Sequence, residues 1–334
     1  MTSAILLFLV LAAVIIAAGT VLTHCADAFA EITGAGKLLV GSILLAGATS
    51  LPELTVDLAA IRLDLPNLAI GDLVGSSLMN LLILAAMDLT HHGRGRMLSR
   101  AAAAHALSGT LGIALTAIVG VGILVAPRFP GATLFGVHAA AWALVVGYVF
   151  GVRLVFLDQR IAARQAAETG ATVEQKPRGP LWKYIAGFVA AAAVIFIAGP
   201  YLAETAGHIA ELSGLGSSFV GTTFVAVSTS LPELVASITA IRLGAFDLVV
   251  GNVFGSNAFN MMLFVPLDIA YPGALFAVAD PAHVISVLAV IACTSVVIMG
   301  QLYQSDSRRR FIEPDAWLVI TLIAGALALV YATA

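Results

Sequence analysis

The forty residues from Gly41 to Asn80 recur without a gap 180 positions later, from Gly221 to Asn260, and 17 of the 40 positions are identical. A duplication of this kind confines the chain to folds in which two like units pack together, so each feature of one copy has a counterpart in the other. Both copies carry the same polar string inside an apolar segment: Thr49, Ser50, Leu51, Pro52 and Glu53 in the first, Thr229, Ser230, Leu231, Pro232 and Glu233 in the second. Each then closes on Gly-Ser and a later Asn, which are Gly75, Ser76 and Asn80, and Gly255, Ser256 and Asn260.

The solvent of this fold follows from composition: 60% of the 334 residues are hydrophobic, 10% are charged, and the mean hydropathy is +1.02. Such a chain belongs in a bilayer. A spanning helix needs about 20 apolar residues, and runs of that kind predict ten helices, at 4–23, 38–61, 67–90, 101–126, 133–156, 181–203, 216–241, 247–271, 282–303 and 314–333. No Lys or Arg precedes Lys37, so the first span lacks the basic region of a cleaved signal peptide. The expected fold class is an all-α membrane protein.

Basic residues accumulate in cytoplasmic loops, and here the odd-numbered connections hold 14 of the 16 Lys and Arg, leaving Arg62 and Arg128 to the even ones. Both termini are therefore expected outside. Five helices per half make the second half enter the membrane from the opposite side, which predicts two inverted five-helix repeats, residues 1–157 and 181–334, joined by a cytoplasmic linker at 158–180 whose first part could form a short surface helix. Inverted repeats are associated with alternating-access transport. The linker is too short for a soluble domain, and a net charge of -3 gives no reason to expect nucleic acid. Neither a cofactor nor a protein partner is implied; the expected partners are inorganic cations and the lipid bilayer.

The chemistry sits where the apolar runs are interrupted. Pro52 and Pro232 each remove a backbone hydrogen bond and crowd the carbonyl four residues earlier, that of Ala48 or Ser228. Freed carbonyls at membrane depth must be buried in protein or line a wet cavity, and they are oxygen ligands for a cation. Glu53 and Glu233 sharpen the point, because an ionisable side chain at mid-membrane costs about 2.5 to 3.5 kcal/mol on insertion scales. No Lys or Arg lies near either in sequence, so a mobile cation is the natural counter-charge. Two carboxylates match one divalent ion, and hard cations such as calcium take about six to eight oxygens. The hydroxyls and carboxamides of Thr49, Ser50, Ser76, Asn80, Thr229, Ser230, Ser256 and Asn260 add neutral oxygens suited to sodium. Gly71, Gly75, Gly251 and Gly255 would let helices approach closely.

These two motifs, recurring in order, resemble the signature segments of the calcium/cation antiporter superfamily and, within it, the sodium/calcium exchangers. The resemblance implies that the second, third, seventh and eighth spans form the core and that Glu53 and Glu233 are shared by calcium and sodium. It also implies that the Thr49 and Thr229 carbonyls join the calcium shell, and that Ala46 and Ala226, with Ser50, Ser76, Ser230 and Ser256, contribute to sodium sites. The first and sixth spans would be a sliding pair. The expected function is calcium/sodium antiport in the cell membrane, with proton or potassium coupling as alternatives.

Several residues depart from that pattern. Many such exchangers carry an acid in one repeat where this chain has Asn80 and Asn260, which leaves ion stoichiometry and potassium dependence open. The first repeat has Asp57 and Asp72 where the second has Ser237 and Asn252. Asp57 follows Glu53 by four residues, on one helical face, making Asp57 and Asp72 candidates for proton coupling; the competing expectation is that Asp57 is hydrated in an outer vestibule. Asp88 and Asp268 are expected to cap helix ends in solvent. His105, His138 and His283 are expected to pack, as are Cys25 and Cys293. A cation channel is the next class, for which paired acids could act as a filter. An intramembrane enzyme is disfavoured, since no His-Glu-x-x-His or Ser with a plausible His partner occurs.

Overall fold

The computed structural model describes residues 2–90, 102–168, 179–212, 226–302 and 314–333. The first repeat contains α1 (Thr2–Thr33), α2 (Lys37–Thr49), α3 (Leu51–Arg62), α4 (Pro66–Thr90), α5 (Ala102–Val125), a hairpin of β1 (Thr133–Leu134) and β2 (Val137–His138), and α6 (Ala139–Glu168). The second contains α7 (Leu181–Leu212), α8 (Leu231–Arg242), α9 (Phe246–Ala270), the short α10 (Leu275–Val278), α11 (His283–Leu302) and α12 (Pro314–Thr333). Among the described residues seven helices are long and apolar enough to cross a membrane, and the bent pair α2–α3 makes an eighth. Residues 216–225 of the span predicted at 216–241 and the arginines of two loops, Arg94, Arg96 and Arg100 and Arg308 to Arg310, lie outside the described residues.

The packing obeys the duplication. With an offset of 180 residues α1 corresponds to α7, α3 to α8 and α4 to α9; α1 packs on α8 as α7 packs on α3, and α8 on α4 as α3 on α9. The axis pair α1–α7 makes the most extensive helix contact in the molecule. Where these two long helices cross the broken spans, both use glycine. A Cβ on Gly199 would lie 2.5 Å from Cβ of Pro52, and one on Gly19 would lie 3.0 Å from Cγ1 of Val235. Gly19 and Gly199 are themselves 180 residues apart.

α9 is buried along nearly its whole length, whereas α1, α6, α7 and α11 turn large apolar side chains such as Leu6, Val146, Ile197 and Leu288 outward. A helix apolar all round and buried on most sides is the centre of the bundle, and the outward leucines and valines are the lipid face. α2 crosses α9 at backbone contact distance: a Cβ on Gly251 would stand 2.6 Å from the Leu38 carbonyl oxygen, and one on Gly255 would fall on the backbone of Ser42. The π turn of α2, Gly41–Leu45, lies at this crossing. Small residues at a membrane helix interface permit this approach.

Several boundaries differ from the sequence reading; the sixth span, for one, runs to Leu212 rather than residue 203. The first helix extends to Thr33 rather than residue 23, because Lys37 folds back to ion-pair with Asp27 at 2.9 Å and Glu31 at 3.0 Å and so neutralises the polar end of α1. The fifth span begins at Ala139, since Phe135 (φ 55°) and Gly136 (φ 78°) make a tight hairpin of residues 133–138 with two positive-φ positions. That span then continues as one helix to Glu168, so the first part of the 158–180 segment prolongs α6 instead of forming a separate surface helix.

Asp268 fastens the hairpin to the second repeat. It is 1% exposed, not solvated, and its carboxylate accepts from the His138 backbone N–H at 2.7 Å and the Leu275 N–H at 3.0 Å. The His138 ring lies against Phe276, which stacks on Phe264. Asp268→Ala would leave two buried donors unpaired, at about 1 to 3 kcal/mol each. A clear fall in the thermal unfolding midpoint of the purified protein is expected, with Asp268→Asn intermediate because its one carbonyl oxygen can still accept.

Candidate cation site

Both broken spans present the same chemistry. α2 stops at Thr49, the chain bends by 41° at Ser50 (φ -86°, ψ 10°), and α3 begins with Leu51, Pro52 and Glu53. Proline is accommodated there because the first turn of a helix has no intrahelical acceptor for its missing N–H. In the second repeat residues 226–229 form a helical turn, Ser230 breaks it (φ -79°, ψ 7°), and α8 begins with Leu231, Pro232 and Glu233. Each Glu thus occupies the first turn of a half-helix, at the positive end of its dipole, while the last carbonyls of the preceding segment bring their negative ends to the same break. The site therefore contains both anionic side chains and polarised carbonyl oxygens.

The side chains converge from both repeats. Glu53 is 1% exposed and Glu233 0%, and Glu53 lies within electrostatic reach of Glu233 and Asp72. The Ser50 hydroxyl donates to Oε1 of Glu233 at 3.4 Å. The Thr49 hydroxyl stands 3.4 Å from both the Asn252 carboxamide oxygen and the Ser256 hydroxyl. Asn80 donates to the Asn257 carboxamide oxygen at 3.0 Å, and Asn257 donates to the Ser77 carbonyl at 3.1 Å. Every one of these bonds joins one repeat to the other, so the polar centre is the interface of the duplication.

Within each break the threonine turns back on its own helix. Thr49 donates to the Ala46 carbonyl at 3.2 Å and Thr229 to the Ala226 carbonyl at 2.9 Å, a symmetric pair of contacts that places the carbonyls of Ala46 and Ala226 at the break. Ser76, Ser230, Ser256, Asn80 and Asn260 are all at most 2% exposed. Several of their polar atoms meet no protein donor or acceptor: Oγ of Ser76 and Ser230, Oδ1 of Asn80, and both carboxamide atoms of Asn260, together with Oε2 of Glu53 and of Glu233. Buried polar atoms are normally paired, so a cluster of unpaired polar atoms around two acids marks a candidate cation site. No group of three or more His, Cys, Asp or Glu that could hold a metal occurs among the described residues. A cation held here would draw two carboxylates and otherwise neutral oxygens, a hard-ligand set.

Comparison with known proteins bears on the family and the fold. The family model described as sodium/calcium exchanger protein matches residues 3–167 and 183–333, nearly the whole chain in two stretches that correspond to the repeats. The chain belongs to the sodium/calcium exchanger protein family. The sodium/calcium exchanger MaX1 of Methanosarcina acetivorans is 38% identical over 109 residues, 30% of this chain and 31% of that protein. The putative antiporter CaxA of Alkalimonas amylolytica is 27% identical over 256 residues, 76% of each chain. The inner membrane protein YrbG of Escherichia coli is 27% identical over 259 residues, 74% of this chain and 73% of its own. Among solved structures, the sodium-calcium exchanger NCX_Mj superposes with a TM-score of 0.68 over 98% of both chains at 17% identity. This exchanger therefore has the NCX_Mj fold, an all-α membrane architecture, and its family is one of transporters and not of enzymes.

Two further residues of this exchanger join the centre without having been singled out as ligands from the sequence. Asn257 bridges Asn80 to the Ser77 carbonyl, and Asn252 accepts from Thr49. The signal for the first was present: Ser77 and Asn257 are polar partners at the 180-residue offset inside apolar helices. Asp57 does not line a hydrated vestibule, being 1% exposed and set against Asp72. The three histidines take structural places: His105 meets Asp247 at 3.1 Å, His138 accepts the Ala140 N–H, and His283 packs on Gly71. Cys25 and Cys293 are free and buried, as small apolar groups.

Proposed function

We propose that this protein exchanges calcium for sodium across the membrane by alternating access, both ions competing for Glu53 and Glu233. The single observation that carries the reading is the pair itself: two acids from inverted repeats, almost fully buried in a common polar centre, with one oxygen of each unpaired. Calcium would take carboxylate oxygens of both, the Thr49 and Thr229 carbonyls and water. Sodium ions would use the neutral oxygens of Ser50, Ser76, Ser230, Ser256, Asn80 and Asn260 and the carbonyls of Ala46 and Ala226, together with the same two acids. An unloaded centre leaves two negative charges in a dry interior, an expensive state, so the core rearranges when cation-filled and resists doing so when empty. That difference enforces exchange over leak.

α1 and α7 are suited to move against this core, because each meets a broken span through a glycine, Gly19 or Gly199. The likeness to MaX1 and NCX_Mj, both sodium/calcium exchangers, supports this ion pair. The distribution of Lys and Arg supports a cell-membrane orientation with both termini outside and the 158–180 segment in the cytoplasm.

The deciding experiment is calcium uptake into proteoliposomes under separately imposed sodium, potassium and pH gradients. Uptake driven by an outward sodium gradient, and absent without a counter-ion, is expected. Calcium current that needs no counter-ion would show a channel, and uptake that ignores sodium would refute the ion pair.

A further inference from the structure

The duplication is broken at one place near the centre. Asp57 and Asp72 occupy positions where the second repeat carries the neutral Ser237 and Asn252. Asp57 is 1% exposed, and its carboxyl interacts with that of Asp72. Both oxygens of Asp57 and Oδ2 of Asp72 meet no donor from any other group. Ionised carboxylates are acceptors only, so their contact closes around a cation or a proton. A hard metal ion needs about six to eight oxygens, and among the described residues no third His, Cys, Asp or Glu joins the pair to make a metal-holding group. Arg62, at the far end of α3, is exposed. What the pair accommodates is one proton.

Its position gives that proton a consequence. Asp57 lies one helical turn beyond Glu53 along α3, and Asp72 lies in the second turn of α4, so the pair stands between the central acids and the α3–α4 turn. The titratable groups around it are Glu53 on α3, Glu233 on α8, and His283, which packs on Gly71 from α11. Glu53 and Glu233 both interact electrostatically with Asp72. A cation that neutralises those two acids removes the negative field that holds the proton, and the proton in turn weakens cation binding; such antagonism is reciprocal by linkage.

We propose that Asp57 and Asp72 form a proton-binding site that only the first repeat carries, and that its proton leaves when a cation enters the Glu53–Glu233 centre. The proposal rests on the exchange reading above. The O–H bond that breaks belongs to the shared carboxyl bridge, the proton passes to water on the α3–α4 side, and the two carboxylates left behind are offset by the incoming cation. Calcium movement through this protein then carries a proton component with a single-sided entry, because nothing equivalent lies at the opposite break.

The test is proton release on calcium addition to the purified full-length chain in weakly buffered detergent, followed with a pH dye, alongside calcium binding by equilibrium dialysis. The comparison is with the double variant Asp57→Ser, Asp72→Asn, which installs the residues the second repeat already packs. The double variant is expected to bind calcium at unchanged stoichiometry and to release about one proton fewer per chain than wild type. Should it not fold, the single variants Asp57→Ser and Asp72→Asn, each retaining one carboxyl, are read in the same way. Unchanged release in the variant overturns the proposal alone. One calcium ion fewer per chain overturns it also, since the pair would then hold a metal. A wild-type chain that binds no calcium overturns the exchange reading, and this proposal with it.

Discussion

Glu53→Gln and Glu233→Gln, made singly, are each expected to abolish sodium-driven calcium uptake, with a loss of calcium affinity on the order of 100-fold or more, about 3 kcal/mol. Gln keeps the shape and one acceptor oxygen of Glu, so the substitution removes charge while sparing packing. For Glu233 that oxygen still receives the Ser50 hydroxyl. Folding survives, and stability can rise, because an unpaired buried charge is costly to hold without its cation. The measurement is initial calcium flux in proteoliposomes, with thermal unfolding of the same preparations as control. Two variants that fold and retain flux would remove both acids from the site. Loss in only one would mean that the repeats, despite their symmetry, do not share the ion.

The second large effect concerns packing. Gly255 lies where α9 passes beneath α2, and a methyl group there would coincide with the backbone of Ser42. A clash with backbone cannot be relieved by rotating a side chain, so Gly255→Ala must push α2 off α9 and spread the break that carries Thr49, Ser50 and Glu53. Overpacking costs about 1 to 3 kcal/mol, occasionally more. The expected result is a markedly lower unfolding midpoint together with loss of exchange, since Ser256 is displaced along with Gly255. Gly325→Ala provides the contrast: a Cβ there meets nothing within 4 Å, and the variant should match wild type in both assays. Equal behaviour of the two variants would mean that the close crossing is not needed for the fold.

Much of this was legible from residues because the bilayer imposes strong rules. Apolar length marks the spans, a proline before an acid marks the breaks, and a 180-residue offset marks the symmetry. Where those rules are silent, the chain carries no local signal. The Phe135–Gly136 hairpin is hidden in a continuous apolar run, and the end of α1 depends on Lys37 folding back to Asp27 and Glu31. Asp268 looked like a solvated cap because it lies near a helix end, yet its acceptors are taken up by backbone donors from two separate segments, and it is buried. Asn257, a lone carboxamide in a membrane helix, has no local signature beyond its 180-residue match to Ser77; its partners, Asn80 and Ser77, are 177 and 180 residues away.

The sequence by itself determined that the chain spans a membrane, that it is built twice, and that each copy sets one glutamate in a break of its own helix, since hydropathy, repetition and proline geometry are local properties of the chain. Only the tertiary structure decided which oxygens share a centre, that Asp57 meets Asp72 and not water, and how closely α2 lies on α9. Those are distances between segments far apart in sequence, set by how the two repeats pack against each other, and no local pattern encodes them.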